Sequence, residues 1–203
     1  MTGERDLAAF FDRAAASGAM GGFNSGERAV LETLLGFWGL APGRRVLEVG
    51  CGAGRLSELA APRLAPGGSL LALDISLGML RRALPRCRAA GAAVAAASAL
   101  HLPVPARSFH TVLWFQVFPH LEEPLAALRE ARRVLLPGGR LWISHLATRD
   151  EVNAFHAGLP PLVCHHRIPP DPEVRRLLES AGFRVLRVGD TPHGWTAGAE
   201  RER

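Results

Sequence analysis

The sequence predicts a doubly wound α/β fold: a seven-stranded, mostly parallel sheet whose last strand runs antiparallel. Three observations carry that expectation. From residue 45 onward, short apolar runs alternate with helical patterns, as in a parallel sheet covered by helices on both faces. The first run empties into a glycine turn, VLEVGCGAGRL at 46–56, with three glycines in five positions. APGGSLL and LPGGRLW then repeat one device, in which a helix ends, Pro-Gly-Gly turns the chain and a strand begins.

Ahead of the sheet, amphipathic patterns predict helices over 4–16 and 25–38, the second with Val30, Leu31, Leu34, Leu35 and Trp38 at helical spacing. Between them, SGAMGGFNSG reads as a glycine-rich joint or lid hinge. Strands are expected at 45–49, 69–73, 92–97, 110–115 and 140–145, and helices at 54–64, 76–89 and 122–135. Asp171 is a candidate N-cap with Pro172 in the first turn behind it, opening a helix that Gly182 closes. FRVLRV and GWTAG form a final strand pair joined by a turn at Gly189 to Pro192. The stretch from 146 to 170 has to cross the carboxyl edge of the sheet, which makes it the natural roof of any pocket there.

The length of 203 residues suits one domain. Residues 1–38 are expected to be its helical cover, 43–146 its core and 146–170 the roof. The formal charge of +5 comes from arginine alone, since the chain has no lysine; it also has no tyrosine. The arginine pairs at 44–45, 81–82, 132–133 and 175–176 fall on different elements and are interleaved with acids. A nucleic-acid footprint would concentrate on one face. No apolar stretch reaches the roughly 18 residues of a membrane span, and no basic-then-apolar leader is present, so a cytoplasmic protein is expected. Cys51, Cys87 and Cys164 have no paired spacing and read as reduced thiols.

Gly50, Gly52 and Gly54 sit where a strand gives way to a helix, so the backbone there can approach a ligand closely. A dinucleotide fingerprint would read G-x-G-x-x-G, but its last glycine is replaced by Arg55, and the spacing is G-x-G-x-G with Glu48 two residues ahead. Asp74 ends the second strand, 24 residues after Gly50, where a carboxylate can accept both hydroxyls of a ribose. A helix-capping role for Asp74 is weaker, because Ser76 is better placed for it.

VLEVGCGAGRL, LLALDIS, LHLPVPARSFHTV and ARRVLLPGGRLWI stand in an order and spacing that resembles the Rossmann-like class I S-adenosylmethionine-dependent methyltransferases. The likeness is strongest to the small-molecule branch that includes quinone methyltransferases. It covers residues 43–146, and LLESAGFRVLRV looks like that family's last helix and sixth strand. The resemblance implies S-adenosyl-L-methionine as cofactor and methyl transfer to a small molecule. Glu48, Gly50, Cys51 and Gly52 would then hold its methionine end, Asp74 the ribose, and Ile75 the adenine. Phe115 joins the cofactor-binding set. Ser98 and Ala99 fall where the family often has Asp-Ala against the adenine, so serine stands in for aspartate. His110 replaces the acid usual in SFD, at a position that mostly serves structure.

The chemistry asks little of side chains, since the sulfonium is already activated and the rate gain comes mainly from holding the nucleophile about 3–3.5 Å from the methyl carbon. WFQVFPHLEEP lacks both the Asn/Asp-Pro-Pro-Tyr/Phe and the Pro-Cys signatures of base-modifying members, which argues against a nucleic-acid acceptor. The histidines leave three readings open. His120 acts as a general base; His120, His145, His156 and His165 hold a divalent metal ion; or these are polar loop residues with no shared role. A non-catalytic protein that keeps the cofactor as a bound ligand is the competing class.

Overall fold

Alternation along each central strand decides which helices the sheet recruits. Leu47 and Val49, Val112 and Trp114, and Leu141 and Ile143 point to one face, while Val46, Leu113, Phe115 and Trp142 point to the other, as the two-residue period of a strand requires. The computed structural model describes residues 2–18 and 21–202. Its elements run α1 (Thr2–Ala16), α2 (Ser25–Phe37), β1 (Arg45–Val49), α3 (Arg55–Ala60), β2 (Ser69–Asp74), α4 (Leu77–Ala89), β3 (Ala93–Ala96), β4 (Phe109–Phe115), α5 (Pro124–Val134), β5 (Leu135–Ser144), α6 (Arg149–Ala157), α7 (Asp171–Ser180), β6 (Phe183–Thr191) and β7 (Gly194–Arg201). One face packs Ala127, Leu128 and Ala131 of α5 with Val174 and Leu178 of α7. The other packs Leu31, Leu34 and Leu35 of α2, Leu56 and Ala60 of α3, and Leu80 and Ala83 of α4.

The seven strands lie in the order β3-β2-β1-β4-β5-β7-β6. β1 to β5 pair in parallel, and β7 runs antiparallel to both β5 and β6. The chain steps outward from β1 through β2 to β3 and then returns to the other side of β1 as β4. Open α/β sheets place ligands at the carboxyl edge of such a reversal. Among the described residues, no helix is long and apolar enough to cross a membrane.

Several elements depart from the sequence expectation. The helix expected at 54–64 is α3 followed by a 3-10 turn over Ala61–Leu64, because Pro62 has no N–H to continue the α-helical ladder. β5 begins at Leu135 and runs through Pro137-Gly138-Gly139, with a register irregularity opposite Phe109 to Thr111. This Pro-Gly-Gly is therefore a kink within a strand, with Gly138 at φ 75°. α6 lies inside the stretch read only as a roof, and its start carries a capping box between Thr148 and Glu151. The last hairpin turns at residues 192–193, β6 having run on through Gly189. Asp171 is not the N-cap of α7; Pro170 occupies that place. The Asp171 carboxylate instead accepts the indole N–H of buried Trp195 at 2.9 Å. In the glycine-rich joint, residues 19 and 20 lie outside the described residues. Its far end is fixed by Asn24, whose side chain accepts from Glu27 N at 2.9 Å.

Candidate active site

β1 ends at Val49, and the chain turns through Gly50, Gly52 and Gly54 at φ 75°, 53° and 75°, conformations that non-glycine residues adopt only with strain. Space adds to the requirement, because a Cβ on Gly50 would lie 2.2 Å from a methyl of Val117. The amides of Gly50 and Cys51 both donate to Leu73 O, at 2.7 and 2.9 Å, which ties the turn to the end of β2. Asp74 completes the tie: its Oδ2 accepts from Gly52 N at 2.7 Å and its Oδ1 from Ser76 N at 2.8 Å. Ser76 caps α4, accepting from Met79 N at 3.0 Å, as the sequence suggested.

The turn opens onto a cleft with an empty volume of about 1220 Å³, counting its open mouth. Glu48, Gly50, Cys51, Gly52, Asp74, Ile75, Ala99, Phe115 and His120 all line it. Ser98 is the exception among the proposed cofactor contacts. Ala97 and Ala99 line the cleft on either side of it, but the Ser98 hydroxyl donates to Glu4 of α1 and accepts from Leu100 N at 3.0 Å. His110 is structural, its Nδ1 accepting from Arg45 N at 3.0 Å.

The cleft is electrostatically negative. Glu48 is 1% exposed and accepts from Ser57 Oγ at 2.5 Å. Burial pushes its pKa up from 4.5 to about 7 against that hydrogen bond. Burial also raises Asp74, opposed by its backbone N–H donors. Glu4, Glu122 and Glu123 sit around the cleft, and Arg55 is the one cation among the described lining residues. Its guanidinium lies 4.3 Å above the Phe23 ring and donates to Gln116 Oε1 at 3.1 Å. The Cys51 thiol is pushed far above its usual range by burial and the nearby carboxylates, which makes it an inert wall rather than a nucleophile.

The histidines gather differently from the set named from sequence. His120 Nδ1 lies 2.9 Å from His166 Nδ1, and its ring meets those of His156 at 5.0 Å and Phe11 at 5.2 Å. His165 is exposed, and His166, its buried neighbour, takes the place expected of it. His145 is buried behind the cleft against Trp195. His156 bonds through Nδ1 to Val152 O at 3.0 Å. Of the four proposed metal ligands, His120 and His156 meet ring to ring while His145 packs on Trp195 and His165 is exposed, and among the described residues no group of three or more His, Cys, Asp or Glu is arranged to hold a metal ion. Burial first, then the neighbouring imidazoles, pushes His120 down to about 3, so it is neutral at physiological pH and does not ionise near 6.5.

Sequence reasoning did not find Glu4, Arg55, Ser57 or Gln116 as parts of the site. Arg55 appeared only as the residue that spoils a dinucleotide fingerprint. Leu7 and Phe11 of α1 and Phe23 ahead of α2 also reach the cleft, contacts whose sequence separation leaves no local signal.

The residues present fit an S-adenosyl ligand. A glycine cradle without side chains meets a strand-end carboxylate, and the acidic lining suits a molecule carrying an ammonium and a sulfonium. Comparison with known proteins agrees. A family model described as a methyltransferase domain matches residues 47–143. The chain is 29% identical over 174 residues to the methyltransferase GfsG of Streptomyces halstedii, covering 82% of this chain and 62% of that protein. It is 37% identical over 109 residues to a demethylmenaquinone methyltransferase of Renibacterium salmoninarum, covering 54% of this chain and 44% of that one. The chain therefore spans less than two thirds of either relative. Among solved structures, a SAM-dependent methyltransferase from Aquifex aeolicus superposes with a TM-score of 0.68 at 27% identity, covering 84% of this chain and 87% of that one. Motifs, sheet order, cleft and relatives converge, and residues 47–143 are a methyltransferase domain of the class I S-adenosylmethionine-dependent kind.

Proposed function

We propose that the protein transfers a methyl group from S-adenosyl-L-methionine to a small-molecule acceptor. The single observation that carries this reading is the brace of Asp74 across the glycine turn, Gly52 N to Oδ2 and Ser76 N to Oδ1, at the mouth of an acid-lined cleft over the sheet's switch point. Glu48 and the turn from Gly50 to Gly52 receive the methionine end, Asp74 the ribose, and Ile75 with Ala99 the adenine faces. The cofactor supplies a sulfonium-activated methyl, and the protein supplies orientation and exclusion of water.

Phe115 and His120, at and beyond the end of β4, face the acceptor side. In the tautomer in which His120 donates its Nδ1 hydrogen to His166, Nε2 is left as a neutral acceptor for the proton an acceptor must lose. The roof from 146 to 170 brings His156 and His166 onto His120. α1 is read as the cover, since Leu7 and Phe11 line the cleft and Asp12 docks on Ser76 Oγ at 2.6 Å and Gly78 N at 2.7 Å. A small acceptor in a cytoplasmic setting is preferred to a nucleic acid, because Glu4, Glu122 and Glu123 would repel a phosphate backbone from the cleft.

The test is calorimetric titration with S-adenosylhomocysteine, followed by assay of its formation from S-adenosylmethionine over a panel of phenols, quinols, carboxylic acids and amines. Binding with turnover on one class supports the reading, with His120→Ala reducing kcat far more than KM for the cofactor. Absence of S-adenosylhomocysteine binding at millimolar concentration would overturn it. Binding without turnover on any class would favour a protein that only keeps the ligand.

A further inference from the structure

The part of the cleft nearest β3 has apolar walls. Ile75, Met79, Ala97, Ala99 and Leu100 line it there, and none of these side chains offers more than a weak thioether acceptor to the edge of a purine. Glu48 and Asp74 stand at the ends of β1 and β2 and Glu123 beyond β4, while Glu122, also beyond β4, lies against Gly3, one residue before Glu4. A 6-amino group buried against apolar walls needs an acceptor.

Glu4 supplies one from outside the sheet. It lines the cleft, and its Oε1 takes the Ser98 hydroxyl hydrogen from a residue 94 positions away in sequence. Because Ser98 Oγ also accepts from Leu100 N, its proton is committed to holding Glu4 and is not offered to a ligand. α1 is fixed in this pose at two further points, Asp12 on the start of α4 and Phe11 on His120.

We infer that Glu4 is the hydrogen-bond acceptor for the exocyclic amino group of the adenine, so that α1, not the sheet edge, carries the base specificity of the site. The inference rests on the cofactor reading above. A carboxylate without a proton only accepts; a 6-amino purine donates to it, whereas a 6-oxo purine presents an acceptor and is repelled. Ser98 is then a positioning residue that aims Glu4. Cofactor binding and the docking of α1 become one event, because the helix that covers the cleft also reads the base.

The experiment measures dissociation constants for S-adenosylhomocysteine and its deaminated counterpart S-inosylhomocysteine, by calorimetry on the full chain. The parent prefers the adenine form by tenfold or more, about the scale of one hydrogen bond to a charged group. Glu4→Ala erases the preference. Glu4→Gln, whose amide can turn its N–H toward a 6-oxo group, erases or reverses it. Ser98→Ala keeps the carboxylate and loosens it, giving a reduced preference. Thermal melts confirm that each variant is folded before it is compared. If Glu4→Ala weakens both ligands equally and keeps the preference, α1 serves only as a cover and the inference is overturned. If the folded parent binds neither ligand, the cofactor assignment falls and the inference with it.

Discussion

With Glu48 at the methionine end of the cofactor, as proposed above, affinity depends on pH in a calculable way. The Glu48 carboxyl is 1% exposed, and burial raises its pKa to about 7 in the free protein. A cationic methionine end beside it favours the charged form. Binding must therefore displace a proton whenever the pH is below about 7. At pH 8 that cost is small, while at pH 6 affinity falls about tenfold, or ~1.4 kcal/mol. About half a proton is released per ligand bound at pH 7. Calorimetry with S-adenosylhomocysteine at pH 6, 7 and 8, in buffers of different ionisation enthalpy, measures both quantities, and Glu48→Gln should flatten the profile. The same group sets a stability trend of definite sign. Between 4.5 and about 7 the folded state holds a proton that the unfolded state has lost, so this contribution falls as pH rises through that window. Glu48→Gln should therefore raise the melting temperature of the ligand-free protein at pH 8 and leave it nearly unchanged at pH 4.5. Affinity independent of pH in the parent, or the same slope in the variant, would refute the reasoning.

Gly52→Val should eliminate measurable cofactor binding in a chain that circular dichroism shows to be folded, because residue 52 sits at φ 53° in the ligand cradle. Asp74→Ala should weaken S-adenosylhomocysteine by about 1.5–3 kcal/mol, since it loses the proposed ribose acceptor and leaves Gly52 N and Ser76 N without their partner. Asp74→Asn, which retains one acceptor oxygen, should lose less, and equal affinities by calorimetry would show that the ribose is held elsewhere. His120 and His145 are both pushed down to about 3 by burial, so between 3 and 6.5 the unfolded chain binds protons that the folded one refuses. Stability is then lost as pH falls below 6.5, by about 2 kcal/mol for His145 at pH 5. His145→Gln should shrink the difference in melting temperature between pH 7 and pH 5, and an unchanged difference would count against a buried neutral imidazole.

What the sequence revealed follows from how local each signal is. The glycine turn, Asp74 and the Ser76 cap lie within 27 consecutive positions, and each is dictated by backbone geometry that residue type encodes directly. The strands were readable for the same reason, as short apolar runs between turn residues. α6 escaped although Thr148 and Glu151 display a capping box, because its nine residues bury only Val152 and His156, too short a run for a helical period to stand out. Asp171 was misassigned because a helix-start acid and a partner for a distant indole look alike until Trp195 is placed. The exchange of His165 for His166 has a similar cause. Adjacent histidines are equivalent in sequence, and only the path of the roof decides which faces inward. Glu4 left no trace at all, since its meaning depends on Ser98 across the whole first half of the fold.

The place of β7 has a consequence for how the molecule is assembled. It comes last among the strands, yet it lies between β5 and β6, pairing Ser144 with Thr196 and Val188 with Ala197. The five strands that hold the cleft, β3-β2-β1-β4-β5, can pair from residues 45–144 before β7 is in place. β5 must meanwhile keep an open ladder, exposed to foreign strands, until the hairpin arrives. Cleavage at the turn near residue 193 would therefore not trim a margin. It would free an interior slat, uncover unsatisfied edges on two strands at once, and turn the sheet of one chain into a template for exchange between copies.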